Sequence, residues 1–307
     1  MKWKTKFIIC NLLAGLTALT YSGCREAPAL QLINSQILDF PSASGIEFYG
    51  GRLYLFGDNA PQLLELSTSY KVIRKIAYWP DTSTVISKET KPDIESAFII
   101  LKEGKAELFG VGSLSGSHRW RVYQWSIGSD TLRRTNLFPD SVRFAGIEEI
   151  NLEGSAAVGN TLVFCNRANL TTKTNHLIFR DKETEFTTKE LRLPGTGSIA
   201  SLSGLYYVKE KDLLLFTASE EATYNAMDDG EIGESYLGWI QHFSSAKAKQ
   251  VIQTSGLLKL TQFSPAFKGQ KIEGVCAESV DSNRYRLHLV ADNDNGSSKI
   301  FTVDLQL

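Results

Sequence analysis

The sequence predicts an all-β protein, and two observations support that prediction. Long windows with an apolar residue every three to four positions, which mark amphipathic helices, are nearly absent from the 307 residues. Short alternating or apolar runs bounded by Gly, Asn, Asp and Ser recur instead. Runs of this kind are typical of strands joined by turns.

A short motif recurs along the chain and divides it into similar units. The copies are Gly45-Ile46-Glu47, Asp93-Ile94-Glu95-Ser96, Asn151-Leu152-Glu153-Gly154, Ile272-Glu273-Gly274 and a degenerate Ser201-Leu202-Ser203-Gly204. Each copy begins an apolar run, and a second apolar run follows it, as in Leu53–Phe56 and Leu213–Phe216. The repeat is about 50 residues long, and such periods indicate propellers or solenoids.

Each unit contains up to four predicted strands, which in the first unit are 46–49, 52–56, 62–66 and 71–78. The last unit ends after three strands, and the segment Leu30–Phe40 is available to complete it. This closure leaves no open sheet edge. We therefore predict a β-propeller of about five four-stranded blades, closed by an N-terminal strand that completes the last blade.

Two features of this prediction stay open. A two-sheet sandwich could use the same strands, and a sixth blade could lie between Gly256 and Gly269. The fourth unit has a long insertion, Ala218–Gly238, before its expected outer strands at Trp239–Phe243 and Lys249–Gln253. This insertion is expected to arch over one mouth of the central channel.

The N-terminus has the pattern of a secretory signal. Lysines precede the apolar run Phe7–Leu16, and small residues lead to Ser22-Gly23-Cys24. This ending resembles a bacterial lipobox, with Tyr21 in place of the usual leucine. We expect residues 1–23 to be a lipoprotein signal peptide, Cys24 to carry the lipid, 24–29 to be a tether and 30–307 to be one propeller domain. The mature protein would be exported and lipid-anchored to a bacterial membrane; plain secretion is the alternative.

Charge and cysteine content narrow the function classes further. The net charge of −1 and the lack of a basic run disfavour nucleic-acid binding. We expect a monomer. Cys165 and Cys276 form either a disulfide or two separate buried thiols.

Propeller topology predicts where the recurring polar residues meet. The start of the innermost strand and the end of the next strand lie on the same face, so their side chains should converge on one mouth of the channel. The expected cation ligands are Glu47, Glu95, Glu153, Glu273, Asn166 and Asp292. Carboxylates brought together must be protonated, separated by water, paired or neutralised by a cation, and oxygen ligands suit Ca²⁺. Purely structural hydrogen bonding and direct acid–base roles are the alternatives.

Other residues near this mouth are candidates for binding or catalysis. Arg167, Tyr224, Tyr236 and Trp120 are expected to contact a small-molecule or glycan ligand there. His118 is the best-placed histidine for acid–base work, and Glu153 is the candidate carboxylate. Signatures of serine hydrolases, P-loop NTPases and zinc proteases are absent from the sequence.

The repeated Ile/Leu-Glu-Gly, followed by Asp58-Asn59 or Asn166-Arg167 at the end of the next strand, resembles the phytase-like esterase group of bacterial β-propellers. It is more distantly similar to gluconolactonase and paraoxonase propellers. The resemblance implies Ca²⁺ in the channel and hydrolysis of a phosphoester, ester or lactone. Ser203 departs from the pattern, and the basic cluster of a true phytase is missing.

The sequence leaves two functions open. One is a Ca²⁺-dependent hydrolase of an ester, lactone or phosphoester. The other is a non-catalytic surface binding module for a glycan, peptide or protein, and a purely structural envelope role is a vaguer third option.

Overall fold

In the part of the chain that the structure describes, twenty-one strands form five sheets arranged around one axis. The computed structural model describes residues 27–80, 83–139, 142–182, 184–196, 199–225, 230–281, 283–292 and 296–307. The predicted signal peptide and Cys24 lie outside these residues. None of the helices in the described ranges is long and apolar enough to cross a bilayer.

The five sheets are the blades of a propeller, as predicted. The first blade is β2 (Ala43–Tyr49), β3 (Arg52–Gly57), β4 (Gln62–Ser67) and β5 (Val72–Ala77). The second is β6 (Ile94–Lys102), β7 (Lys105–Gly112), β8 (Val122–Ser126) and β9 (Leu132–Thr135). The third is β10 (Leu152–Val158), β11 (Thr161–Asn166), β12 (Asn175–Lys182), β13 (Glu185–Arg192) and β17 (Val251–Gln253).

The fourth blade is β14 (Ala200–Val208), β15 (Leu213–Glu221), β16 (Ile232–Gln241) and β18 (Gly256–Lys259). The fifth is β19 (Lys271–Ser279), β20 (Arg284–Asp292), β21 (Ser298–Gln306) and β1 (Ala29–Leu38). One short helix, α1 (Phe243–Ala246), follows β16, and 3-10 turns lie at Ser117–Arg119, Lys209–Lys211, Leu260–Gln262 and Pro265–Phe267.

Ring closure by the N-terminal strand is confirmed. β1 pairs antiparallel with β21, from Ala29 opposite Gln306 to Leu38 opposite Ser298. The Ser298 hydroxyl then links the last blade to the first, because it accepts from the Ala43 amide and donates to the Phe40 carbonyl at 2.7 Å each.

The outer strand of the fourth blade differs from the prediction. Residues 251–253 pair in parallel with β13 of the third blade, and β18 is the strand that completes the fourth. Burial explains the exchange: Phe243 stacks on Phe179 at 6.0 Å, and Ile252 is fully buried in the same core as Leu191. The chain therefore adds a short strand to the third blade before it returns to the fourth blade as β18.

The region considered for a sixth blade belongs to the existing blades. Leu260 and Phe267 are buried in the core shared by the fourth and fifth blades, and Phe267 stacks on Phe301 at 4.6 Å. The predicted insertion 218–238 is mostly a longer hairpin, since β15 extends to Glu221 and β16 begins at Ile232.

The recurring motif coincides with a β-bulge in every blade. The register of the inner strand against its neighbour shifts between Ile94 and Ser96, and the same shift occurs in the other four inner hairpins. The residue after the bulge is Gly45, Ser96, Gly154, Gly204 or Gly274.

These small residues allow the inner strands to approach closely. A Cβ on Gly154 would lie 2.8 Å from the Gly204 carbonyl carbon, and one on Gly274 would lie 2.3 Å from the Ser44 oxygen. The channel between the strands consequently holds only about 170 Å³ of free space. Cys165 in the third blade and Cys276 in the fifth are buried free thiols rather than a disulfide.

We predict that Gly154→Ala destabilises the protein by about 1–3 kcal/mol, because the new methyl group meets backbone atoms of the next blade. Gly116→Ala is the matched control, since its Cβ would have a nearest neighbour at 3.4 Å, and it should change stability by less than about 0.5 kcal/mol. Urea unfolding of both variants measures this. Equal stabilities would contradict the tight packing of the inner strands.

Candidate functional site

The five bulges place one residue from each blade at the same mouth of the channel. These residues form a ring: Ser44, Glu95, Glu153, Ser203 and Glu273. A bulge inserts one extra residue into a strand and redirects its side chain. Around the ring lie further acids and four cations. We call the whole set the charged mouth: Asp58, Asp93, Glu95, Glu153, Glu221, Glu273, Lys91, Arg119, Arg167 and Lys271.

Glu47 is not a member of this ring. The bulge of the first blade lies between Ala43 and Ile46, so Ser44 takes the position that Glu95 takes in the second blade. Glu47 lies farther along the inner strand, near Tyr206 and Cys276. It is buried without an ion-pair partner among the described residues, and this burial raises its pKa.

The two serines of the ring connect blades. The Ser44 hydroxyl donates to the Ile94 carbonyl of the second blade, and the Ser203 hydroxyl donates to the Ile272 carbonyl of the fifth at 2.6 Å. Serine at these positions therefore closes the gap to the next blade. The three glutamates of the ring instead face charged neighbours.

An ion-pair chain crosses the third, fourth and fifth blades. Arg167 donates to Glu153 at 3.0 Å and to Glu221 at 2.6 Å. Lys271 bridges Glu221 at 3.1 Å and Glu273 at 2.8 Å. Each of these carboxylates is at least nine-tenths buried, so the pairs are shielded from solvent and from salt.

The three acids of this chain have different pKa shifts. Burial works to raise the pKa of Glu221, but Lys271 and Arg167 together hold it below its ordinary value. Burial raises the pKa of Glu153 despite the opposing Arg167, and it raises the pKa of Glu273 despite the opposing Lys271. One oxygen of Glu273, Oε2, is buried without a hydrogen-bond partner.

A second cluster spans the first and second blades. Lys91 bonds Asp58 and lies 2.7 Å from Asp93, and Arg119 donates to Asp93 at 2.8 Å. Carboxylate oxygens of Asp58, Asp93 and Glu95 lie within 4.8 Å of one another. This half of the mouth therefore contains three acids and two bases, as does the ion-pair chain opposite.

Glu95 differs from every other acid of the charged mouth. It is half-buried, opens into the channel, and has no hydrogen bond or ion pair within the part of the chain that the structure describes. Burial raises its pKa, and the nearby carboxylates of Asp93, Glu153 and Asp58 raise it further. The Asp58 Oδ1 atom beside it is also buried without a partner.

The predicted amide and carboxylate ligands at the strand ends lie at the same face. Asn166 uses its amide on the backbone, where Oδ1 accepts from the Asn151 amide at 2.6 Å and Nδ2 donates to the Glu149 carbonyl. Asp292 is opposite Lys271 in the sheet register and is buried. Residues 293–295, which follow Asp292, lie outside the described residues.

The residues predicted to contact a ligand or to act as acid or base do not lie together. Tyr236 is buried and donates to Glu220 at 2.7 Å, whereas the Tyr224 side chain is 70% exposed on the hairpin loop. Trp120 packs edge-on against Phe138 in the core between the second and third blades. His118 is half-buried and accepts a long hydrogen bond from its neighbour Arg119.

The sequence did not indicate Lys91, Lys271 and Glu221 as site residues, although it contains a signal for Lys271. Two positions before each ring residue the chain carries a polar residue: Ser42, Asp93, Asn151, Ser201 and Lys271. Asn151 and Lys271 both contact the acid two residues later. Glu153 and Glu273 therefore have local partners, whereas Glu95 has the acid Asp93 at this position.

We predict that Glu47→Gln stabilises the protein at pH 8 by at least about 1 kcal/mol and has little effect at pH 4, since each unit of pKa shift corresponds to about 1.4 kcal/mol. The pKa of Glu47 is raised in the folded state. The wild type should therefore lose stability as the pH rises above about 4.5, and the variant should not. Urea unfolding at the two pH values checks this; a wild type equal to the variant at pH 8 would refute it.

We predict that Arg167→Met destabilises the protein by about 3–5 kcal/mol, because Glu153 and Glu221 are left buried without their shared cation. Arg192→Met is the matched control, since its pair with Glu190 is exposed, and it should have no measurable effect. Thermal and urea unfolding report the difference. A loss no greater than that of the control would show that the ion-pair chain does not stabilise the fold.

Comparison with solved structures finds weak similarities that cover most of the chain. The Bacillus subtilis arabinanase Arb43A is 15% identical, with 88% of this chain and 96% of that chain covered and a TM-score of 0.48. A putative exported protein of Bacteroides fragilis is 11% identical over 91% of this chain and 96% of that chain, with a TM-score of 0.42. A member of the DUF4221 family from Bacteroides vulgatus is 11% identical over 90% and 78%, with a TM-score of 0.34. Similarities this low say nothing about ligand or chemistry.

No curated protein matches the sequence. The model of one family, described as a family of unknown function, matches residues 39–305, which is nearly the whole propeller. The chain therefore belongs to the family of unknown function DUF6929.

Proposed function

We propose that this protein is an exported, membrane-anchored binding protein whose charged mouth takes a ligand bearing a primary ammonium group. The observation that carries the proposal is Glu95, the acid of the charged mouth that has no partner among the described residues. A partly buried carboxylate without a cation is costly, and a ligand cation would remove that cost.

Neighbouring groups support an ammonium at this position. Lys91 already holds an ammonium against Asp58 and Asp93, so this half of the mouth accepts the shape and charge of an alkylammonium group. Asp58 Oδ1 and the Glu95 carboxylate are the acceptors that Lys91 leaves unused. An open cleft of about 670 Å³ is lined by Asp58, Asn59 and Lys91, and Glu95 lines the channel between the inner strands.

The hydrogen-bond and ion-pair partners of the ring acids favour ligand binding over acid–base catalysis. Glu153 accepts from Asn151 at 2.8 Å and from Arg167 at 3.0 Å, and Glu273 is paired with Lys271. These contacts hold the two carboxyl groups in fixed positions. They leave Glu95 as the ring acid that is available to a ligand.

We predict that glucosamine, putrescine and trilysine, tested separately, distinguish an amino sugar, a diamine and a peptide as ligand class. Binding of whichever probe is taken up should fall at least about tenfold in Glu95→Gln, because a charge-assisted hydrogen bond contributes about 1.5–3 kcal/mol. Titration calorimetry on the mature chain measures this. Glucose, which lacks the ammonium group, should give no heat.

Glu103→Gln is the matched control, since Glu103 is exposed at the opposite end of the second blade and should leave affinity unchanged. The proposal fails if the wild type gives neither heat nor a thermal shift with all three amines. It also fails if Glu95→Gln binds as tightly as the wild type.

A second candidate, a Ca²⁺-dependent hydrolase, rests on the three carboxylates Asp58, Asp93 and Glu95, whose oxygens converge within 4.8 Å. Hard oxygen donors of this kind fit Ca²⁺. Lys91 is the competing cation, because it bonds Asp58 and Asp93 and must move aside before an ion shares those oxygens. When bound, Ca²⁺ would polarise an ester or lactone oxygen. In this candidate Glu153 is the nearby carboxylate for activating water.

We predict for this candidate that Ca²⁺ binds more tightly to Lys91→Met than to the wild type, because the competing ammonium is removed. Calorimetric titration with CaCl₂ measures affinity, and aryl-ester turnover with and without Glu153→Gln measures catalysis. Absence of Ca²⁺ heat in both the wild type and Lys91→Met would reject a calcium site. Calcium binding with no ester turnover would reject the hydrolase.

A further inference from the structure

The charged mouth lies at one face of the propeller, and the N-terminal strand begins at the other. At one end of the fifth blade the register runs Leu38–Ser298–Asp292–Lys271, which ends at the charged mouth. At the other end Ala29 lies opposite Gln306, and Gln306 lies opposite Arg284. The chain therefore enters the fold at the face opposite the mouth.

We infer that this opposite face lies against the membrane and that the charged mouth opens to the aqueous side. We call it the lower face and define it by its exposed hairpin ends: Lys71, Val72, Leu101, Lys102, Lys105, Lys209, Lys211 and Val280. The inference rests on the anchoring through Cys24 proposed above. Its new content is the direction in which the mouth points.

The short tether favours this orientation over the reverse one. Five residue steps separate Cys24 from Ala29 in the sequence. Fully extended, they span at most about 18 Å. β1 has ten residues and is three strands from the inner strand, so the twist of the sheet leaves its ends about 8–15 Å apart along the axis. With the mouth against the bilayer, the tether would have to run nearly extended past the fifth blade, and the loops above the mouth would lengthen that path.

The chemistry of the lower face is compatible with contact with lipid headgroups. Leu101 is 66% exposed at its hairpin end, Val72 is 52% exposed and Val280 is 39% exposed. Exposed lysines surround them, and acids such as Glu103 and Glu210 are interspersed. The mixed charge provides little electrostatic attraction, so the short tether and the apolar side chains set the orientation.

The orientation has a consequence for the ligand. A mouth that faces away from its own bilayer does not take lipids from it. The ammonium-bearing ligand of the proposed function would therefore arrive by diffusion through the aqueous phase.

The experiment couples the mature chain to vesicles through the Cys24 thiol and a maleimide headgroup lipid, which bypasses cellular lipidation. Cys165 and Cys276 are buried and should not react. A fluorescent non-natural amino acid replaces either Leu101 or Tyr224, which are both well exposed and lie on opposite faces. The phosphatidylcholine vesicles contain nitroxide-labelled headgroups as quenchers.

We expect quenching at position 101 to be several-fold stronger than at position 224. A long Gly/Ser linker inserted before Ala29 should reduce that difference. Equal quenching at both positions, stronger quenching at 224, or no quenching at 101 would each overturn the inferred orientation.

Anchoring itself is tested separately in cells. Wild-type protein should fractionate with membranes, and Cys24→Ser should not. A wild type found outside the membrane fraction would reject the anchor and with it the biological role of the orientation. The vesicle measurement would still report which face a short N-terminal tether turns toward lipid.

Discussion

The structure depends on how closely five inner strands approach one axis. Glycine after the bulge in four blades, and Ser96 in the second, leave the strands separated by little more than backbone atoms. The bulges place one residue of each blade at the same mouth of this narrow channel. Three of these residues are carboxylates whose charge must be compensated there. The charged mouth is thus a consequence of backbone packing as well as a candidate binding surface.

The charge at the ring positions is avoided or compensated differently from blade to blade. Where the bulge residue is serine, a hydroxyl donates to the next blade's carbonyl and no charge is introduced. Where it is glutamate in the third and fifth blades, Arg167 and Lys271 share the intervening Glu221. In the second blade the cation Lys91 bonds Asp58 and Asp93 instead, which leaves Glu95 exposed to the channel. This difference between the blades makes one position of the ring available to a ligand.

Much of the fold was predictable from the sequence because its signals are local. Alternating runs and turn residues located the strands of the first blade to within a few residues, and the missing strand of the last unit indicated how the ring closes. The exchange of 251–253 to the third blade was not predictable, since it depends on Phe243 and Ile252 finding a core formed by Phe179 and Leu191. The ring was only partly predictable. The residues Gly45-Ile46-Glu47 resemble the motif of the other blades, but the bulge register shows that the ring residue is Ser44, three positions before Glu47. The lysine partners come from non-local contacts, as with Lys91 and Asp58, or from a spacing of two that the motif did not include.

The pairing of β1 with β21 also bears on the order of events during biosynthesis. Among the described strands β1 is synthesised first, and its neighbour in the sheet, β21, is synthesised last. Until then the final blade has no outer strand, and β1 is an unpaired edge able to associate with other chains. The ring of this propeller therefore closes only after both β1 and β21 have been delivered to one compartment.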